Sequence, residues 1–256
     1  MRTPLVALAL GLAVPSPAFA LSCIWGPHAS LPAHDATDVA TDTRITILVE
    51  GDGVEASMVE LVDEDANAVA FDLEFLDQGS QQVVILTPDA ELAADTAYRV
   101  TIGGDFAYEL SFTTGAGPDE DAPDSPVVLD TKIDRGRSVW GSTHMVGVEL
   151  ENPSEPVVVE LALTDVSTGE DLGTIHQIPW TGDATTYVSA GEGLCTSTAE
   201  LDGAVHVEVT FIDASGNRSE TPPEEKAGGC SSLGAPATFS MLGLALGLTL
   251  LRRRRE

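Results

Sequence analysis

At 256 residues, with forty-one Asp and Glu against twelve Lys and Arg and a formal net charge of −29, the chain has room for two ordinary domains of about 100 residues each. Arg2 and Arg252 to Arg255 sit at the two ends, so residues 21–230 keep seven basic residues against forty acids, a field that repels phosphate backbones and excludes nucleic-acid binding. Three cysteines cannot staple a chain of this length, so apolar cores must hold it.

In chain order, Arg2, the apolar run Leu5 to Val14 and Ala18-Phe19-Ala20 have the charged, greasy and small-residue order of a secretory signal peptide over residues 1–20, with Leu21 opening the mature chain. Residues 21–114 then read as one all-β module. Ile45, Ile47 and Val49 alternate with Thr46, Leu48 and Glu50, as a half-buried strand requires. Val69, Phe71, Leu73 and Phe75 repeat the pattern, as do Tyr98, Val100 and Ile102, and Tyr108, Leu110 and Phe112. Shorter strands are predicted at 58–62 and 82–86. Six or seven strands without helical spacing predict a β-sandwich.

Residues 115–126, GAGPDEDAPDSP, carry five acids and three prolines and predict an extended, self-repelling linker. Residues 127–221 predict a second sandwich, with strands at 127–133, 145–150, 157–163, 172–178, 185–188 and 205–211. Ala214-Ser215-Gly216-Asn217 predicts a late hairpin turn. Residues 222–230 form a further linker ending in Cys230. Residues 231–256 hold an uncharged 21-residue stretch, Ser231 to Leu251, and the arginine tail, long enough to span a bilayer with the arginines inside.

Asp35-Ala36-Thr37-Asp38-Val39 through Ile45, Leu86-Thr87-Pro88, Leu92 to Val100 and Phe112-Thr113-Thr114 resemble the opening and closing phrases of bacterial immunoglobulin-like (Ig-like) domains over about residues 27–114. The resemblance implies an Ig-like sandwich in which Tyr98 turns its hydroxyl back to upstream backbone. Val205 to Ser219 is similar to the end of fibronectin-type or Ig-like repeats. Gly228-Gly229-Cys230, the apolar stretch and Arg252 to Arg255 resemble the tripartite sorting signal of myxobacterial surface proteins. That resemblance implies cleavage by a membrane protease near Cys230, lipid on its thiol and display at the outer surface; a glycine-glycine variant and a plain membrane anchor are the alternatives.

With Cys230 so assigned, Cys23 and Cys195 remain, and an oxidising exported compartment allows them to pair. Such a bridge requires the modules to pack side by side. Lipidation of Cys23 fits less well, because Ala20-Leu21-Ser22 lacks a large residue three before the cysteine.

Asp63, Asp65, Asn67 and Glu74 have the spacing of a calcium loop, but Ala68 stands where glycine is needed and strand alternation follows, so a polar hairpin turn is the simpler expectation. Calcium between the modules at Asp119 to Asp124 rests on charge alone. The five histidines show no paired metal spacing, and His206 is expected in solvent. Ser142 lacks a glycine-flanked elbow. Trp25, Trp140 and Trp180 fill cores or stack on sugar. The function expected is non-enzymatic: an exported surface protein serving as spacer, structural part or adhesion unit toward a protein or glycan, with calcium or carbohydrate binding as the alternative.

Overall fold

Period-two alternation of apolar side chains builds two sandwiches along the chain. The computed structural model describes residues 26–51, 53–104, 107–138, 141–179, 185–192 and 197–220. The leader, the tail, Cys23, Cys195, Cys230 and all three tryptophans lie outside them. Among the described residues no helix is long and apolar enough to cross a membrane.

The first sandwich contains β1 (Gly26–Leu31), β2 (Ala36–Val39), β3 (Ile45–Glu50), β4 (Val59–Asp63), β5 (Phe71–Gln78), β6 (Gln81–Pro88), β7 (Ala97–Ile102) and β8 (Tyr108–Thr114). Its two sheets have strand orders β1-β3-β6-β5 and β2-β8-β7-β4. Ile45, Ile47, Val49, Val84 and Leu86 from one sheet meet Leu61, Val100, Ile102, Leu110 and Phe112 from the other, and each of these ten is at most 2% exposed. The Tyr98 ring stacks on Phe112 with centroids 5.7 Å apart. Its hydroxyl accepts the Ala93 N–H at 2.9 Å, the corner expected from the sequence.

Two strands carried no alternation signal. β1 reads Gly-Pro-His-Ala-Ser-Leu and shifts register between Pro27 and Ala29. β2 is four residues long and lies parallel to β8, pairing Ala36 with Phe112; that pairing is made across the fold and leaves no periodic mark.

The second sandwich contains β9 (Val128–Ser138), β10 (Gly141–Glu151), β11 (Val158–Asp165), β12 (Asp171–Gln177), β13 (Thr185–Glu192) and β14 (Val205–Ile212). Its sheets have orders β13-β10-β9 and β12-β11-β14. Val146, Val148, Leu150 and Val188 face Val159, Leu161, Leu163, Ile175 and Phe211 across its core. β9, β10 and β13 extend beyond the spans read from hydropathy, because backbone pairing continues through residues such as Ser189 to Glu192, where Ala190 and Gly191 are buried without a long apolar side chain to mark them.

The chain through Thr221 is one compact unit, and residues 115–126 are strapped down rather than extended into solvent. The Gly117 carbonyl accepts the Thr41 N–H at 3.0 Å, the Asp119 N–H donates to Asp42 Oδ1 at 3.1 Å, and Pro123 and Pro126 are buried. Asn217 Nδ2 donates to the carbonyls of Asp119 and Asp121 at 2.8 and 3.2 Å. Self-repulsion among the acids is the weaker effect here, because backbone carbonyls and N–H groups, not the carboxylates, make most of these contacts.

Candidate functional site: the junction between the sandwiches

β3 shows why the two sandwiches behave as one unit. Alternation predicts Thr46, Leu48 and Glu50 in solvent, yet all six residues of β3 are buried. Leu48 pairs with Val83 and with Ala29, and Val83 is fully buried although it points away from the first core. The outer face of this sheet is therefore covered along β3 and β6, while Asp72 and Glu74 on β5 stay exposed.

Three sets of contacts join the two sandwiches. At the β5–β6 turn, the Ser80 N–H donates to the Ser197 carbonyl at 2.7 Å and the Ser197 N–H to Ser80 Oγ at 2.9 Å. Gly79 there has φ +61°, and a Cβ would stand 1.8 Å from the Ser197 oxygen, so glycine alone permits the approach. Beside the turn, the nearly inaccessible Gln78 clasps His176: its Nε2 donates to the His176 carbonyl at 3.1 Å and its Oε1 accepts the His176 N–H. The 214–217 turn meets the start of β3, where Thr43 Oγ1 donates to the Ala214 carbonyl at 3.3 Å and Ser215 Oγ donates to Asp42 Oδ1 at 2.8 Å.

Between these contacts lies a cleft of about 350 Å³ lined by Arg44, Glu74, Glu160, His176, Asp213 and Arg218, among others. Glu160 on β11 stands opposite His176 on β12. Its side chain is only 16% exposed, and His176 Nε2 lies 3.3 Å from Oε2. Arg218 grips both oxygens, Nη1 to Oε2 at 3.1 Å and Nη2 to Oε1. The His176 hydrogen bond, then Arg218, hold the Glu160 carboxyl down to about 2 against the opposing effect of burial. A carboxylate so held stays ionised at any physiological pH and anchors its partners; a general acid needs the opposite shift.

A second acidic group surrounds the linker. Burial first, then the charges of Asp213, Asp119, Asp124 and Asp121, raise the Glu155 carboxyl. Among the described residues no three of the His, Cys, Asp and Glu side chains are arranged to hold a metal ion.

The calcium-loop spacing resolves into a turn. Asp63 Oδ1 accepts the N–H groups of Asp65 and Asn67 at 3.0 and 2.8 Å, and Asn67 Nδ2 donates to Asp63 Oδ2 at 2.9 Å. The Asn67 side chain, then its N–H, lower the Asp63 carboxyl. Glu74 lies on β5 in the opposite sheet, at the junction cleft, so the four residues are not brought together. His206 is exposed, 3.7 Å from Glu208. Cys23, Cys195 and Cys230 lie outside the described residues. Gln78, Glu160, His176 and Arg218 were not singled out as a group. The available signals were a lone acid inside the apolar run 157–163 and an arginine in a body with few bases.

Residues 28–115 match the bacterial Ig-like domain family model. The chain thus contains an Ig-like domain over these residues. No curated protein matches the chain. Among solved structures it is similar to a pullulanase complexed with maltotriose from Anoxybacillus sp. LM18-11, at 10% identity and TM-score 0.25, covering 73% of this chain and 24% of that one. It is similar also to the N-terminal Ig1-2 module of the Drosophila receptor protein tyrosine phosphatase DLAR, at 12% identity and TM-score 0.25, covering 78% and 94%. The chain spans about a quarter of the pullulanase length. Similarity at this level defines neither an activity nor a ligand.

Proposed function

We propose that this is a non-enzymatic, exported cell-surface protein whose two sandwiches act together as a stiff spacer or adhesion unit. The observation that carries this reading is the covered outer face of β3 and β6. A flexible tether would leave Thr46, Leu48 and Glu50 in water, whereas here they are at most 7% exposed. A module pair fixed by Gln78, Ser80 and the 214–217 turn transmits position from one end to the other and presents its free loops and edges at a set distance.

The address completes the proposal. A leader over residues 1–20 exports the chain, and residues 222–256 hold it at the envelope, with Cys230 as the site of processing and lipid attachment. Cys23 and Cys195 form a bridge in this reading. It is supported by their described neighbours: Gly26 pairs with Glu50, Glu50 Oε1 accepts from Ser80 Oγ at 3.2 Å, and Ser80 bonds Ser197. Intact mass of the protein recovered from its native membrane fraction tests all of this. The expected mass begins at Leu21, lacks Arg252 to Arg255, carries a lipid and falls by about two daltons for the bridge. A mass that retains the arginine tail refutes the sorting proposal.

A further inference from the structure

Residues 128–135 of β9 are exposed along both faces of the strand. Val128, Leu129 and Ile133 are 48%, 51% and 48% exposed, and Thr131, Lys132, Asp134 and Arg135 lie open beside them. β9 ends its sheet, and among the described residues no backbone hydrogen bond reaches it from the side away from β10. Ile133 pairs with the fully buried Val146 and Val128 with Leu150. They therefore stand on the core-facing side of the sheet, yet the facing sheet does not cover them. An eleven-residue edge with apolar side chains and unpaired N–H and C=O groups is a template for another strand.

The charges identify the occupant. Charges on an edge discourage pairing with most strands, and such an edge accepts only a partner that sets opposite charges against them. β9 reads Val-Leu-Asp-Thr-Lys-Ile-Asp-Arg-Gly-Arg-Ser from 128 to 138, and its midpoint is Ile133. β9 bulges at Leu129 against β10, so laid antiparallel on a copy of itself about Ile133 it pairs regularly from Asp130 to Gly136. Lys132 then faces Asp134 of the other copy, and Asp134 faces its Lys132. Asp130 meets Gly136, Thr131 meets Arg135, and Ile133 meets Ile133. No position from Asp130 to Gly136 faces a like charge; within its own sheet the exposed Lys132 also lies 3.0 Å from Asp130 and 3.7 Å from Glu149, and Arg135 donates to the Gly203 carbonyl at 3.0 Å.

We propose that β9 is a homodimer edge, pairing antiparallel with β9 of a second copy about a two-fold axis at Ile133 to form one six-stranded sheet, β13-β10-β9 continued into β9-β10-β13 of the other copy. This goes beyond the spacer reading and does not depend on where the protein is anchored. Each copy carries a net charge of −29, so long-range repulsion opposes the pair. At about 0.15 M salt the screening length is about 8 Å, which removes most of that repulsion and leaves contact pairs largely intact.

Sedimentation velocity of the full chain in non-ionic detergent at that ionic strength tests the proposal. A reversible monomer–dimer equilibrium is expected, with Kd on the order of 10–100 µM for an interface at the small end of the usual range. Lys132→Asp places Asp against Asp twice, since the symmetry doubles every pair, and should raise Kd about tenfold or more. Adding Asp134→Lys restores opposite charges in the same register and should bring Kd back to within about threefold of wild type. Lys132 is 64% exposed, so circular dichroism should show both variants folded. A wild type that is monomeric at about 300 µM, a K132D variant that dimerises as wild type does, or a double variant no tighter than K132D would each overturn the proposal.

Discussion

Replacing Glu160 by Gln keeps the shape of the junction and removes the charge that His176 and Arg218 hold. The size of the effect follows from the carboxyl itself. A displacement from 4.5 to about 2 corresponds to roughly 3 kcal/mol of linked stability at neutral pH. Arg218 is 52% exposed, and solvent screening at that partner lowers the expected loss to about 2 kcal/mol. Because the folded-state value lies below the unfolded one, the contribution is complete above about pH 4.5 and disappears as pH falls through about 2. Urea unfolding of wild type and Glu160→Gln between pH 7 and pH 2.5 should show a gap of about 2 kcal/mol that is constant down to about pH 5 and then narrows. A gap that keeps its size to pH 2.5, or no gap at pH 7, would refute the argument that this carboxylate ties Arg218 and His176 into the junction.

Two further substitutions address the junction from other sides. Gly79→Ala combines a left-handed backbone cost of about 1–2 kcal/mol with a Cβ driven into the Ser197 carbonyl. It should lower the melting temperature and enlarge the radius of gyration in X-ray scattering, while Gly169→Ala, with φ +72° but open space around it, should show only the backbone cost; equal behaviour of the two would sink the close-approach account. Asn217→Ala removes the amide that holds the Asp119 and Asp121 carbonyls and should cost about 1–2 kcal/mol. Protease should then cut within residues 115–126 faster than in wild type, and an unchanged digestion rate would mean the linker is held by other contacts.

Much of the architecture was legible before any coordinates. Alternation at 45–49, 98–102, 108–112 and 205–211 marked strands that form, because the period of a pleated strand is imposed by the nearest neighbours in the chain. Tyr98 was legible as a corner because its phrase brings the closing strand with it. The turn at 63–67 was legible for the same local reason: Asp63, Asp65 and Asn67 are turn residues by chemistry, and a carboxylate that accepts nearby N–H groups yields the same spacing as one that binds an ion. Glu74 belonged to the set only in sequence, since β4 and β5 enter different sheets.

From the amino-acid order alone came the two apolar cores and the acidic body. What the outer faces meet was settled only in three dimensions. Thr46, Leu48 and Glu50 alternate as solvent residues do, and nothing within ten positions of them says that His176, Ser197 and Ala214 reach Gln78, Ser80 and Thr43 of the same sandwich from 98, 117 and 171 residues away. The edge at β9 has the same character: the sequence marks a strand there, and only the missing neighbour in the facing sheet leaves Ile133 open. Periodicity is written by adjacent residues, whereas coverage depends on which distant surface arrives, and that is a property of the folded chain as a whole.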